Sequence, residues 1–268
     1  MLILVANVPA RAQIDLDSDT LQSHIIGFTV GVRAPSSQLS FGTSPDGVRN
    51  QDATMASLYR PPYLDFGINC KYKYQSNWLV TFDLGMWFSD NNLKDRIGRM
   101  GDVWTRDSSI VGTGGTNSGV TCHNRALSIQ AGGGKIFPVQ PEKNPNSGIL
   151  ALATVGYMRQ QTIFNLNLEH APQLEGDYGL LYDHQRQGLM LTEGLGYWYM
   201  SNNSNIYNLY VVFEVSQIWS CSTRDYMIDY KLGLQGKDLN RYFDLMFSLK
   251  LCWMFPLTGK KAHDIYFY

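Results

Sequence analysis

The chain has 268 residues, a formal net charge of −1 and a charged fraction of 17%. This near-neutral balance gives no broad attraction for nucleic acid, and 44% hydrophobic residues exclude a disordered chain. Aromatic residues make up 13%, including 16 Tyr, and 25 Gly are present, a composition that favours an all-β protein. No apolar run reaches roughly eighteen residues, so no membrane-spanning helix is predicted.

The chain begins with an apolar segment, LILVANV, which is followed by Ala10-Arg11-Ala12. An apolar core before a small-x-small cleavage site is typical of a secretory signal peptide, and residues 1–12 are predicted to be its remainder. A short apolar N-terminal strand is the alternative.

Alternation of apolar side chains with small or polar ones predicts the strands in chain order. In the clearest run, from Trp78 to Phe88, every second side chain is large and apolar. Seven further segments follow the same pattern, so eight strands are predicted. In chain order they are 26–33, 64–74, 78–88, 126–137, 149–158, 189–200, 207–216 and 242–255.

The connections between these strands alternate in length. Short turns are predicted near 75–77, 138–148 and 201–204, and long loops at 34–62, 89–125, 159–187 and 220–241. This alternation is typical of outer-membrane barrels, in which short turns are periplasmic and long loops extracellular. We therefore predict an all-β fold over residues 13–255, an eight-stranded antiparallel up-and-down transmembrane β-barrel in the bacterial outer membrane. Both termini would then be periplasmic, and residues 256–268 would form a periplasmic tail.

A soluble, lipocalin-like barrel is the competing fold. Its apolar face would point inward, towards a ligand, whereas a membrane barrel presents that face to lipid. Alternation cannot separate the two, but the signal-like start and the rhythm of the loops favour the membrane barrel.

The polar face of the predicted strands carries several charges. An eight-stranded barrel is filled by its own side chains, so opposite charges inside it should pair. We predict an interior polar network, with a narrow ion path as the alternative. Its members are Arg33, Asp65, Lys71, Asp83, Glu214, Asp244 and Lys250.

Glu193 departs from this scheme, because it falls on the same alternate set as Leu191 and Leu195. A charge that faces lipid is costly. Three interpretations stay open: a bulge near Gly194 shifts the phase, Glu193 lies near an interface, or it contacts a partner protein.

The loops show no strong catalytic or cofactor motif. The segment Gly112–Gly119 lacks the Lys-Ser or Lys-Thr pair of a P-loop, so no cofactor is predicted, and no metal cluster stands out. His123, His170 and His184 fall in predicted outer loops, with Asp183 beside His184. A rim-site hydrolase built on His and Asp is therefore the less favoured alternative to a non-enzymatic protein. Cys122 and Cys221 also fall in loops on one side, where a disulfide is an option in an oxidising compartment.

Residues 130–268 resemble a family of outer-membrane barrel proteins from Bacteroidota. The resemblance is carried by Asn144-Pro145-Asn146-Ser147-Gly148, Gly176-Asp177-Tyr178, Tyr182-Asp183, Gly194-Leu195-Gly196-Tyr197, Ser201-Asn202-Asn203, Trp253-Met254-Phe255-Pro256 and Tyr266-Phe267-Tyr268. It implies no particular activity. In that phylum small barrels often serve in larger machines, such as type 9 secretion or the assembly of barrels and surface lipoproteins.

These observations predict a non-enzymatic subunit of an outer-membrane complex, in contact with outer-membrane lipid and with outer-membrane or periplasmic proteins. The predicted partner contacts are Glu193 and the aromatic tail, Ile265, Tyr266, Phe267 and Tyr268. The alternative is a free-standing barrel whose extracellular loops bind an external ligand or a host surface.

Overall fold

The computed structural model describes residues 22–35, 63–89, 100–103, 110–118, 120–166, 170–201, 207–230 and 233–257. The predicted signal remainder, 1–12, and the tail residues Ile265, Tyr266, Phe267 and Tyr268 lie outside these segments. Among the residues that are described, no helix is long and apolar enough to span a membrane.

Eight long antiparallel strands form a closed barrel, which confirms the predicted fold class. Seven of the eight hydrogen-bonded pairs join barrel strands that follow one another along the chain. The eighth pair joins the last of these strands to the first and closes the sheet. The barrel strands are β1 (Ser23–Pro35), β2 (Tyr63–Lys73), β3 (Trp78–Ser89), β6 (Val120–Pro138), β7 (Gly148–Leu166), β8 (Arg186–Tyr199), β9 (Leu209–Ser222) and β12 (Arg241–Pro256). The remaining short strands belong to the loops between them.

In contrast to a soluble barrel, this barrel has apolar side chains on its outer face and charged side chains inside. On the outer face Phe28, Leu127 and Leu195 are 52%, 62% and 62% exposed, whereas Asp65 and Lys71 inside are 1% and 3% exposed. So large an exposed apolar surface is unfavourable in water. It is favourable in lipid, because lipid offers no hydrogen-bond partners to polar side chains on the outer wall. The barrel is therefore a transmembrane barrel and not a lipocalin-like ligand carrier.

The two ends of the barrel differ. At one end, the short-turn end, residues 74–77 and 139–147 join neighbouring strands, and Asn77 adopts a positive φ of 61°. At the other, the long-loop end, the loops contain their own structure: the hairpin β4 (Ile110–Val111) with β5 (Asn117–Ser118), helix α1 (Gly176–Tyr182), and the hairpin β10 (Met227–Asp229) with β11 (Leu234–Gly236).

The barrel interior is layered along its axis. An apolar cluster that includes Trp198 and Ile25 fills the short-turn end, and a second one that includes Trp87 and Met190 fills the long-loop end. Both Trp side chains are completely buried. The inward charges Glu214 and Lys250 lie between these two apolar layers along their strands, so they are shielded from water on both sides.

Candidate functional site

Four of the predicted interior residues form one connected ion cluster. The Arg33 guanidinium lies 2.8 Å from Asp65 Oδ2, and Lys250 Nζ lies 3.5 Å from the same oxygen and 2.9 Å from Glu214 Oε2. Ser248 donates to Glu214 at 3.3 Å. Two cations and two carboxylates thus balance inside the barrel, which is the condition for buried charges to be tolerated.

The other predicted interior residues lie apart from this cluster. Lys71 Nζ is 3.2 Å from Asp83 Oδ1 and donates to Thr81 at 2.7 Å. Asp244 faces inward near the long-loop end, where it meets the charge of Arg186. The structure therefore brings the seven residues together in groups and not as a single network.

The interior contacts also include aromatic rings. Arg33 lies over the ring of Trp87, 4.4 Å from its centroid, and Lys71 lies 5.3 Å from the centroid of Tyr210. Each cation is therefore held by a carboxylate and by a ring face at once. Side chains fixed in this way fill the lumen, and they favour a structural role over an ion path.

At the long-loop end, Asp183 and His184 lie in a buried polar cluster. Asp183 forms an ion pair with Arg224 and accepts a hydrogen bond from Gln161 at 2.9 Å. His184 Nε2 lies 3.4 Å from Asp229 Oδ2. These contacts join the loop before β8 to the segment after β9.

This cluster does not present an open catalytic site. The side chains of His184 and Asp229 are only 5% and 0% exposed, so a substrate cannot reach them while the loops are packed. His170, by contrast, is 86% exposed and pairs with Glu175 at 2.9 Å, and His123 lies on the outer face of β6. The three histidines are thus separate. Sequence spacing gave no signal for Asp229 or Arg224, because both come from another loop.

The structure does not bring Cys122 and Cys221 together. Both lie in strands and not in loops: Cys122 pairs with Phe164 between β6 and β7, and Cys221 pairs with Gln187 between β8 and β9. Three strand spacings of about 4.8 Å separate β6 from β9, roughly twice the Cα distance that a disulfide spans. Cys221 is a free thiol, so the predicted disulfide is absent.

Glu193 lies on the outer face of the barrel at mid-depth. Strand β8 pairs in regular register with β7 over residues 186–198 and with β9 over residues 186–199, and Glu193 is opposite Ala153 on β7 and Val215 on β9. A bulge near Gly194 is therefore not present. Glu193 is seven residues from the first residue of β8 and six from the last, so it does not lie near either interface, and a carboxylate faces the apolar middle of the membrane.

The surface beside Glu193 is unusually shallow. Ala153 is its neighbour on β7, and Gly133 is opposite Ala153 on β6. Ala131 and Ala151 extend the same patch, whereas Leu191 and Leu195 border Glu193 along β8. We call Glu193, Ala151, Ala153, Ala131 and Gly133 the Glu193 face. Within the described strands Glu193 is the one acidic side chain on the outer face, and no described residue forms a hydrogen bond or ion pair with it.

No protein-family model matches the sequence, and no curated protein matches it. Among solved structures, Ail of Yersinia pestis in complex with the heparin analogue sucrose octasulfate aligns over 87% of this chain and 97% of its own, with 10% identity and a TM-score of 0.39. The N-terminal β-barrel domain of Pseudomonas aeruginosa OprF aligns over 87% and 98%, with 12% identity and a TM-score of 0.35. Neisserial surface protein A aligns over 87% and 95%, with 8% identity and a TM-score of 0.34.

These similarities are too low to carry an inference about function. The chain is a transmembrane β-barrel of the outer-membrane type, as its own strand pairing and apolar outer face establish.

Proposed function

We propose that this protein is a non-enzymatic barrel subunit of a larger bacterial outer-membrane complex, with its long loops extracellular and its termini periplasmic. The observation that carries the proposal is Glu193, a carboxylate that faces outward at mid-depth in a strand of regular register. A carboxylate in this position costs free energy in lipid, and a partner protein that donates to it removes that cost.

The Glu193 face fits a protein neighbour. Gly133 and Ala153 leave the barrel backbone uncovered beside Glu193, and small residues allow transmembrane segments to approach closely. The complementary partner is a transmembrane segment with a Lys, Arg or neutral hydrogen-bond donor at mid-depth. The resemblance to Bacteroidota barrels supports a role in secretion, or in barrel or surface-lipoprotein assembly.

The test is gentle detergent purification from outer membranes, with an affinity tag in the loop between β3 and β6, followed by mass spectrometry of the co-purified proteins. Wild type is expected to recover a partner in stoichiometric amount, and Glu193→Leu to lose it. Glu142→Gln, an exposed carboxylate in a short turn, is the control and should retain the partner. Removal of residues 258–268 tests the predicted contacts of the tail separately.

A loss of partner through misfolding is distinguished by stability. Glu193→Leu removes a lipid-facing carboxylate, so it should raise the free energy of unfolding of the isolated barrel in vesicles by roughly 1–2 kcal/mol. This expected gain is small because a lipid-facing acid costs less than a lipid-facing Arg or Lys. A more stable barrel that no longer binds is the expected combination. A monomeric wild type, or a Glu193→Leu variant that keeps its partner, would overturn the proposal.

The second candidate function is binding of an external ligand by the long loops. It is favoured by exposed aromatic side chains on structured loop segments: Tyr178 on α1 is 67% exposed, and Tyr226 and Tyr230 beside β10 are 50% and 53% exposed. Helix α1 packs against β10, so the two segments lie close together. Burial and the nearby Tyr230 raise the pKa of the Tyr182 phenol. Tyr supplies rigid amphipathic contact area.

A glycan array probed with the purified barrel tests this second function. A specific signal that is lost on changing Tyr178, Tyr226 and Tyr230 together to Ser would support it, since exposed side chains can be changed without loss of the barrel. Absence of any signal, or a signal that the triple variant retains, would contradict a role for these tyrosines in glycan binding.

A further inference from the structure

Two arginines lie side by side on the outer wall near the long-loop end. Arg125 is opposite Gln161, and Arg159 is opposite Leu127, so the two arginines are diagonal neighbours on β6 and β7. Both side chains are exposed on the lipid-facing side of their strands. Diagonal neighbours in an antiparallel sheet are close enough for two long side chains to contact one ligand group.

The pair lies where the apolar band ends. Phe88 is opposite Arg125 across β3 and β6, and Tyr157 is the outward residue that precedes Arg159 on β7. Beyond them, towards the loops, the outward residues His123 and Gln161 are polar. Aromatic rings followed by cations mark the level of the lipid headgroups.

The positive charge of this pair is not neutralised by the described residues. No described acid forms an ion pair with Arg125 or Arg159. With the Gln185 amide oriented so that its oxygen faces the guanidinium, that oxygen accepts from Arg159 Nε and Nη2. The nearby Asp183 already pairs with Arg224. Gln185 is buried, and its backbone carbonyl accepts from Thr223 N at 3.0 Å, so Arg159 is held by a fixed part of the loops.

Directly below the arginines the wall is strongly apolar. Leu127 and Leu189 flank β7 at 62% and 60% exposure. A cationic pair above exposed aliphatic side chains matches an amphiphile with an anionic head and acyl chains, and not a free anion. Arginine is also the side chain whose geometry suits bidentate contact with phosphate.

We propose that Arg125 and Arg159 form a binding site for the phosphate group of a membrane lipid, whose acyl chains lie along Leu127 and Leu189. This site is separate from the Glu193 face, and its existence does not depend on the proposed complex.

The experiment is a lipid titration of the full-length, folded barrel in a neutral detergent, followed by native mass spectrometry. The probes are lipid A, the same lipid after enzymatic removal of its phosphates, and inorganic phosphate. The proteins are wild type, Arg125→Gln/Arg159→Gln, and the control Lys135→Gln. Lys135 is an outward cation near the opposite end, 5.0 Å from the ring centroid of Trp78. The gel mobility of unheated samples verifies that each barrel is folded.

Wild type and Lys135→Gln are expected to bind lipid A equally. The double arginine variant should bind it at least about ten-fold more weakly, because it lacks the charge-assisted hydrogen bonds to phosphate. Dephosphorylated lipid should bind wild type as weakly as phosphorylated lipid binds the variant, and inorganic phosphate should not compete at equal concentration. Equal binding of lipid A by wild type and the arginine variant, or of both lipid forms by wild type, would overturn the site. Competition by inorganic phosphate would overturn the contribution of the acyl chains.

Discussion

At the scale of single residues, Asp65 is an interior carboxylate that forms ion pairs with two cations. One oxygen, Oδ2, faces both Arg33 and Lys250, and the Asp65 side chain is only 1% exposed. The alternation of residues predicts that all three side chains point inward. It does not predict their pairing, because Arg33 and Lys250 come from opposite ends of the chain and meet only when the barrel closes.

Asp65→Asn removes one of two carboxylates and leaves the buried cluster with an excess positive charge. Breaking a buried pair in this way costs about 3–5 kcal/mol, so the free energy of unfolding in urea should fall by this amount for the barrel in lipid vesicles. Asp225→Asn is the control, because the Asp225 side chain is 98% exposed in its pair with Lys237. It should leave the unfolding curve unchanged, whereas a loss under about 1 kcal/mol for Asp65→Asn would show that the cluster contributes little.

At the scale of strands, β6 and β7 show where alternation stops being informative. Both run to 19 residues, and at the long-loop end they exceed the predicted 126–137 and 149–158. In these extensions most outward residues are polar, such as His123 and Gln161, although Ile163 is apolar, because the strands have left the lipid. Without an apolar face there is no contrast between the two sides, so a sequence pattern cannot identify the strand.

Gly156 illustrates how closely β6 and β7 approach each other. A Cβ at this position would clash with the Ile129 carbonyl oxygen and would lie 2.6 Å from Gln130 Cα. Both are backbone atoms of the paired strand and cannot rotate away. Gly156→Ala should therefore lower the free energy of unfolding by about 1–3 kcal/mol, the usual cost of overpacking, as measured by urea titration in vesicles.

The matched comparison is Gly85→Ala on β3. The one atom near a Cβ at that site is Ser128 Oγ, at 2.8 Å, and a hydroxyl can adopt another rotamer. A substitution there should change stability by much less than Gly156→Ala. Equal effects of the two substitutions would show that loss of glycine in an inward-facing strand position matters, and that the contact with Ile129 does not.

At the scale of the whole molecule, the barrel has apolar side chains on its outer face and buried charged side chains in its interior. The outer face is apolar because it contacts lipid, so alternation predicts which side chains face outward in clear runs such as Trp78 to Phe88. Exceptions such as Glu193 and Arg159 are therefore informative, because contact with lipid does not account for a charged side chain on this face. The packing of the long loops could not be predicted, since buried pairs such as His184 with Asp229 depend on tertiary contacts between separate loops.

The filled interior leads to a prediction about transport. The layers that contain Trp87 and Trp198 lie on either side of the ion cluster, and both rings are completely buried. The cations of the cluster are held by carboxylates, so hydrated ions have neither the space nor the free charged groups to cross. The purified barrel in a planar lipid bilayer should therefore show no stepwise ion conductance. The opposite result would be stepwise currents whose ion selectivity changes in the Lys250→Gln variant. That result would establish a narrow ion path as the function of these interior charges.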